Sequence, residues 1–286
     1  MDTTNLRGKT AVVTGAASGI GRATALLMAQ RGANVCICDL NEAGLAETER
    51  LAKALGSSVL SRRVDVAKRD EVRRFADEIH GTVPAVDILV NNAGVGLGAT
   101  FLDTELEDWD WIIGINLYGV IYGCHYFIPP MIARGRGGHV VNVSSAAGYV
   151  ATEPLSAYST TKFAVFGLTE ALCNELTRFD IGVTAVCPGL INTPITRTSR
   201  FRGTTMNEAA RAQMVDLYQR RNYTPERVAE NILKAIHRNR AVAPISPEAW
   251  LMYALKRLSP ALVRWINRTV SERARREAQQ AGSAIR

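Results

Sequence analysis

Between Ser144 and Lys162 the chain places side chains that could move a proton together: the hydroxyl pair Ser144-Ser145, the phenol of Tyr158 and the ammonium of Lys162. Tyr158 and Lys162 stand four residues apart at the head of a segment with helical periodicity (Phe163, Phe166, Leu168, Leu172, Leu176), so both fall on one helix face within side-chain reach. The serines end a strand-like run from His139 to Val143. A free phenol titrates near a pKa of about 10 and is a poor acid or base at neutrality. A fixed positive charge beside it favours the phenolate, which is a chemical reason to set Lys next to Tyr. The same pair also occurs on ordinary solvated helix faces, so the rest of the chain has to decide.

A second stretch binds rather than reacts. Lys9 to Thr14 has strand character and runs straight into Gly15-Ala16-Ala17-Ser18-Gly19-Ile20-Gly21, followed by helical periodicity through Gln30. Glycines between a strand and a helix permit a tight turn and let backbone N–H groups approach a pyrophosphate at the helix N-terminus. The spacing is G-x-x-x-G-x-G, not the commoner G-x-G-x-x-G. The next strand, Ala33 to Cys38, ends in Asp39, where a carboxylate would bind adenosine ribose hydroxyls and repel a 2′-phosphate. Leu40 follows rather than a basic residue, so NAD is favoured over NADP, with Arg22 the contrary feature.

The elements that must carry these groups alternate. Helix is expected over 41–55 with Asn41 as N-cap, strand over 58–64 ending in Asp65-Val66, a charged helix over 68–80, and strand over 86–90 leading into Asn91-Asn92-Ala93-Gly94. A long apolar helix over 107–132 contains Asn116, an amide that is costly inside an apolar face unless hydrogen-bonded. Strand 140–144, helix 156–179 and strand 182–187 follow, then Pro188-Gly189-Leu190-Ile191-Asn192-Thr193. Residues 195–223 read as a mobile Arg-rich insertion, 224–239 as a helix and 241–245 as a last strand. Such alternation implies a doubly wound parallel sheet with helices on both faces.

The 286 residues, 47% hydrophobic and 21% charged, suit one large α/β domain, with a core over 7–245 and a basic helical extension over 246–286. No uncharged apolar run of membrane-spanning length is expected, and the polar start, Met1 to Asn5, is read as neither signal nor transit peptide. The cysteines (36, 38, 124, 173 and 187) show no C-x-x-C, which fits reduced thiols in a cytoplasmic protein. Neither His nor Cys clusters at metal-ligand spacing, so no metal is expected. The net charge of +7 is concentrated: from Arg197 onward 18 Lys and Arg face 7 Asp and Glu. That excess could meet an acidic partner, an anionic membrane surface or a phosphorylated substrate, or simply be solvated.

Taken together, Thr14-Gly15-x-x-x-Gly19-x-Gly21, Asp39, Asp65-Val66, Asn91-Asn92-Ala93-Gly94, Asn116, Ser145, Tyr158-x-x-x-Lys162 and Pro188-Gly189 with Thr193 make the chain resemble the short-chain dehydrogenase/reductase family over residues 7–245. The resemblance implies a seven-stranded parallel Rossmann sheet and an Asn116-Ser145-Tyr158-Lys162 tetrad. The family's serine lies thirteen positions before its tyrosine, which picks Ser145 and leaves Ser144 structural. By the same carry-over Tyr158 is the general acid/base and Lys162 binds the nicotinamide ribose and lowers the phenol pKa. Ser145 bonds the substrate oxygen, and Asn116 holds a water in the proton relay. The cofactor residues implied are Gly15, Ser18, Gly19, Ile20, Gly21, Asp39, Leu40, Asp65, Val66, Asn92, Ala93, Gly94, Pro188, Gly189, Ile191 and Thr193, besides Tyr158 and Lys162.

The substrate is less constrained. Val95, Gly96, Leu97, Ala147, Tyr149, Val150, Leu190 and parts of 195–222 are candidate pocket residues, mostly apolar, and suit a hydrophobic alcohol or ketone. An acyl-CoA or other lipid carbonyl is the alternative, and a non-catalytic dinucleotide-binding regulator a third. The tail is expected to form helices over 247–258 and 260–270, with 271–286 frayed. Leu251, Ala254, Leu255 and Leu258 share one face, as do Leu262, Trp265, Ile266 and Thr269. With basic flanks they suit packing over the cleft or on another subunit, or an interfacial contact with anionic lipid. A homodimer or homotetramer is expected through helices 107–132 and 156–179, and no nucleic-acid partner.

Overall fold

The computed structural model describes residues 1–203, 206 and 208–283, with side chains to residue 272. In chain order the first half gives β1 (Thr10–Thr14), α1 (Gly19–Gln30), β2 (Asn34–Asp39), α2 (Glu42–Ala54), β3 (Val59–Arg63), α3 (Arg69–His80), β4 (Ile88–Asn91) and a short β5 (Leu97–Gly98). Then come α4 (Leu106–Ile113), a π-helical turn (Gly114–Tyr118), α5 (Gly119–Arg134), β6 (Gly138–Val143), α6 (Ser156–Leu176) and β7 (Ile181–Pro188). The chain closes with α7 (Ile195–Thr198), β8 (Arg200–Phe201), α8 (Glu208–Arg221), α9 (Pro225–His237), β9 (Val242–Ile245), α10 (Pro247–Leu258) and α11 (Pro260–Ser283).

Seven strands form one sheet in the order β3-β2-β1-β4-β6-β7-β9, with every pairing parallel. This is the doubly wound Rossmann arrangement expected from the alternation. Side chains alternate across each strand: Ala11 and Val13 point to a core shared with Met28 of α1 and Ile232 of α9. Val12 points to the opposite core, shared with Phe75 of α3, Phe127 of α5 and Val165 of α6. The order reverses between β1 and β4, and a crevice opens there beyond the carboxyl ends of the strands.

The span 106–134 corrects the expectation that no segment has membrane-spanning length and apolarity. It is a 29-residue helical stretch long and apolar enough by length and composition. Ile112, Asn116, Val120, Phe127 and Met131 are nevertheless buried within the fold, the pattern of a core helix. The π turn sits at Asn116, within the span expected as one helix whose propensity Gly114, Gly119 and Gly123 interrupt.

Two further differences concern the last third. The segment expected as a mobile insertion forms α7, β8 and α8, although its residues 204, 205 and 207 lie outside the described residues. Asp108 of α4, 2% exposed, accepts from Arg202 Nε (2.8 Å) and Nη2 (3.1 Å) and from Arg200 Nη1 (3.2 Å). Arg200 also lies 3.7 Å above the Trp111 ring, so β8 is held beside β5. In the tail, α11 runs on through Ser283 rather than ending at Val270, and residues 284–286 lie outside the described residues. The apolar stripe expected on α10, left open between packing and a lipid contact, is split. Leu251 and Leu258 are exposed, while Ala249 is buried and Tyr253 and Leu255 pack beside Tyr149, Phe166 and Val263. The Tyr149 hydroxyl donates to Ala249 O (2.8 Å) and its ring meets Tyr253 edge-on, which sets the rotation of the helix.

Candidate active site

The nucleotide half of the crevice is built by close backbone approach. Gly15 has φ +66°, and a Cβ there would lie 2.7 Å from Ala93 Cα. At Gly21 a Cβ would lie 2.0 Å from the Gly15 carbonyl oxygen. Gly21 therefore does not line the cleft; it lets α1 start directly beneath the turn. Ser18, the N-cap of α1, makes no side-chain capping bond, and the first turn holds no acidic residue, so its N–H groups stay free for an anion. Thr14 Oγ1 accepts from the N–H groups of Asn92 and Ala93, both at 3.0 Å, and Asn92 Nδ2 donates back to Thr14 O (2.9 Å).

Asp39 ends β2 at the rim. Its Oδ2 accepts from Ala17 N (2.9 Å) and its Oδ1 from Asn41 N (2.9 Å), which fixes the carboxylate between the glycine turn and α2. Arg22 is spent elsewhere: Nε donates to Thr48 Oγ1 (2.9 Å) and Nη2 to the carbonyls of Gly44 (2.9 Å) and Ala17. Leu40, Asp65, Val66, Ser18, Gly19 and Ile20 line the same end of the cleft. Pro188, Gly189, Ile191 and Thr193 line it beyond β7.

At the other end, β6 delivers Ser144 and Ser145, and the first turns of α6 deliver Tyr158 and Lys162. Ser144 is buried and donates to Lys162 O (2.7 Å), so it ties β6 to α6. Ser145 is half-buried, caps the following turn by accepting from Ala147 N (3.1 Å), and reaches the Tyr158 phenol. Lys162 is 4% exposed; its Nζ donates to Val143 O (3.0 Å) and stands 5.8 Å from the centre of the Tyr158 ring. Burial raises the Tyr158 pKa, and the Ser145 hydroxyl pulls it down. Burial also pushes Lys162 down, to about 8. For the phenol in this state burial is the larger influence, and Ser145 is the group opposing it.

Asn116 does not line the cleft. It is fully buried; Oδ1 accepts from Val95 N (2.8 Å), and Nδ2 donates to Val95 O (2.9 Å) and Thr161 Oγ1 (3.3 Å). It pins the loop after β4 from behind. A Cβ on Gly94 would come within 3.2 Å of Asn116 Oδ1 and 3.5 Å of Lys162 Nζ, so only a glycine leaves that gap open.

The whole cleft encloses about 650 Å³ and is lined mainly by apolar atoms. Val95, Gly96, Leu97, Ala147, Val150 and Leu190 line it as expected, whereas Tyr149 is turned into the tail packing. Met214 and Tyr218 line it from within the expected span 195–222, while sequence reasoning missed Leu155, Glu248 and Met252; together these close the far side. The spacing Met214-x-x-x-Tyr218-x-x-Arg221, one helix face in a polar segment, was a usable signal for α8. Tyr218 is pushed up to about 12 by burial, with Tyr158 and Glu248 adding to it.

A parallel sheet with a glycine turn at its switch point and a Ser-Tyr-Lys group at the next strand end defines a dinucleotide-dependent oxidoreductase. The short chain dehydrogenase family profile matches residues 9–202, and the chain belongs to that family. A probable oxidoreductase, EphD, of Mycobacterium tuberculosis is 38% identical over 256 residues, covering 88% of this chain. The chain spans only 43% of that relative's length. A putative oxidoreductase, SadH, of the same species is 37% identical over 258 residues, covering 89% of this chain and 92% of the relative. A crystal structure of a short chain dehydrogenase/reductase from Burkholderia phymatum in complex with NAD superposes with a TM-score of 0.83 at 30% identity, covering 93% of this chain and 97% of that one.

Proposed function

We propose that this enzyme interconverts a lipophilic secondary alcohol and its ketone with NAD(H). The observation that carries the reading is one continuous cleft with Asp39 at one end, the Ser145-Tyr158-Lys162 group in the middle and apolar side chains beyond it. The glycine turn, the free N–H groups of α1 and the gap at Gly94 fit the dinucleotide. Asp39 would hold the adenosine ribose, and Asp65 and Val66 would flank the adenine. Lys162 would meet the nicotinamide ribose, and Ile191 and Thr193 the carboxamide. NAD⁺, when bound, supplies the hydride acceptor.

The chain's own residues handle the proton. As the carbinol C–H bond breaks and its electron pair leaves with the hydride, the O–H proton passes to the Tyr158 phenolate and the C=O bond forms. Ser145 donates to the substrate oxygen while that charge shifts. In ketone reduction each movement reverses. Both amide protons of Asn116 are taken by Val95 O and Thr161 Oγ1, which favours holding the loop over relaying a proton through them. A spectrophotometric screen at about 340 nm, with NAD⁺ and NADP⁺ against alcohols of rising chain length, tests the reading. Turnover that grows with chain length and prefers NAD⁺ supports it; activity confined to small polar alcohols refutes the apolar pocket, and activity confined to acyl-CoA reduction moves the substrate class.

The assembly we infer is a homo-oligomer through α5 and α6, which form an apolar groove that includes Ile121, Ile128 and Leu172; Tyr118 of the π turn and Phe163 of α6 are also exposed. Light scattering at micromolar concentration tests it, and a monomer refutes it. The extension shows a different surface: Trp250, Leu251, Leu258 and Trp265 are exposed beside Arg257, Arg264 and Arg268. That face suits peripheral contact with an anionic membrane. Co-sedimentation with phosphatidylglycerol vesicles but not phosphatidylcholine vesicles is the expected result. A cytoplasmic location agrees with five free cysteines, four of them buried.

A further inference from the structure

Three carboxylates line the cleft among the described residues. Asp39 and Asp65 belong to the adenosine end, and Glu248 enters from the opposite side on the first turn of α10. Glu248 Oε1 accepts the Leu190 N–H (3.2 Å), in the loop that follows β7. Its Oε2 pairs with Arg221 Nη2 (2.6 Å), on the last turn of α8. One side chain therefore holds both the loop that carries Ile191 and Thr193 and the helix that covers the substrate end.

Two observations show that the surroundings are shaped for this contact. A Cβ on Gly189 would sit 2.8 Å from Glu248 Oε1, so a side chain there would displace the carboxylate. Ser246, two residues before Glu248, is held at φ +91°, a conformation that costs a non-glycine residue energy and persists only where packing enforces it. On α8, Met214, Tyr218 and Arg221 follow one another at i, i+4 and i+7 and so share a face. Met214 and Tyr218 line the cleft, and Arg221 ends the same face at Glu248.

We propose that Glu248 is a positioning residue that joins the lid helix α8 to the loop after β7, and that Tyr218 is the side chain the lid thereby presents to the substrate. The inference rests on assigning Leu190 to Thr193 to the nicotinamide end. Glu248→Gln keeps an acceptor for Leu190 N–H but loses the charge facing Arg221. Glu248→Ala loses both contacts. Arg221→Gln removes the lid contact alone.

The measurements are dinucleotide Kd by NADH fluorescence titration, ketone KM in steady state, and Tm. Glu248→Gln and Arg221→Gln should each raise KM about fivefold, the worth of a well-made, partly exposed ion pair. Their double variant should be no worse than either alone, because both remove the same contact. Both should keep dinucleotide Kd within about twofold of the parent, while Glu248→Ala weakens it further. Tyr218→Phe should raise KM in the same direction. Additive effects of Glu248→Gln and Arg221→Gln, or a Glu248→Ala protein with parental Kd and KM, would overturn the inference, as would a fall in Tm with no change in either constant. A parent protein that does not bind NADH would instead refute the functional reading, so the two failures are distinguishable.

Discussion

Removing the Lys162 charge should stabilise the cofactor-free fold while abolishing turnover. The side chain is 4% exposed and its Nζ has one protein partner within bonding distance, Val143 O at 3.0 Å. A fall from the ordinary 10.5 to about 8 corresponds to ~3 kcal/mol of penalty on the charged form. Lys162→Met keeps the chain length and apolar stem but leaves the Val143 carbonyl short of a donor, which costs ~1 kcal/mol. The net gain is ~2 kcal/mol at neutral pH. With an unfolding entropy of about 2.1 cal/mol/K per residue, 286 residues convert this into a rise in Tm of about 3 °C. Because the folded pKa lies below the unfolded one, the penalty is complete below about pH 8 and fades as pH rises toward 10.5. The advantage of the variant should fade with it. Calorimetry of both proteins without dinucleotide, at neutral and alkaline pH, is the assay. A variant that melts lower than the parent at neutral pH would show that the ammonium is a paired structural group, and the reasoning would fail.

Tyr158→Phe should abolish turnover and leave NADH affinity within about twofold, because it removes the proton acceptor but only one hydroxyl among the many groups that would hold the dinucleotide. In the parent, burial raises the phenol pKa, so alcohol oxidation should climb with pH through the alkaline range while ketone reduction falls; a flat profile for both would refute Tyr158 as the base. Asp39→Ala combined with Leu40→Arg should shift the NAD⁺ to NADP⁺ ratio of kcat/KM by roughly tenfold or more toward NADP⁺, and an unchanged ratio would exonerate the carboxylate. Ser246→Gly should raise Tm slightly, by an amount equivalent to ~1 kcal/mol of relieved backbone strain, as read by calorimetry.

The sheet and the nucleotide end were legible because their signals are local. Strand runs, glycine spacing and a terminal aspartate each lie within a few residues of what they build. Tyr158 and Lys162 were legible for the same reason, as an i,i+4 pair. The burial that raises the phenol pKa was not, because it depends on what β6, α6 and the loop after β4 place around the phenol. Glu248 was invisible because its partners, Leu190 and Arg221, are distant in sequence and belong to other elements. The rotation of α10 was left open, since periodicity shows that a helix has an apolar face without saying which residues pack. Tyr149, donating to Ala249 O, decides that question, and nothing near Tyr149 in the sequence announces it.

The π turn at Asn116 makes residue number itself a structural variable. Buried positions Asp108, Ile112, Asn116, Val120, Cys124 and Ile128 recur at every fourth residue along the span. In an α-helix each such step overshoots a full turn by about 40°, so a straight ladder of fours would spiral off the sheet. The wider winding over 114–118 takes back part of that drift, and Asn116 and Val120 are both buried. The wider turn absorbs one extra residue, so deleting Leu117 alone would restore ordinary winding and leave everything beyond it facing much as it does now. Asn116 and Phe127 could then still both face inward, and circular dichroism of such a deletion should show a protein that keeps its cooperative melt; a deletion that abolishes the melt would refute this account of the turn.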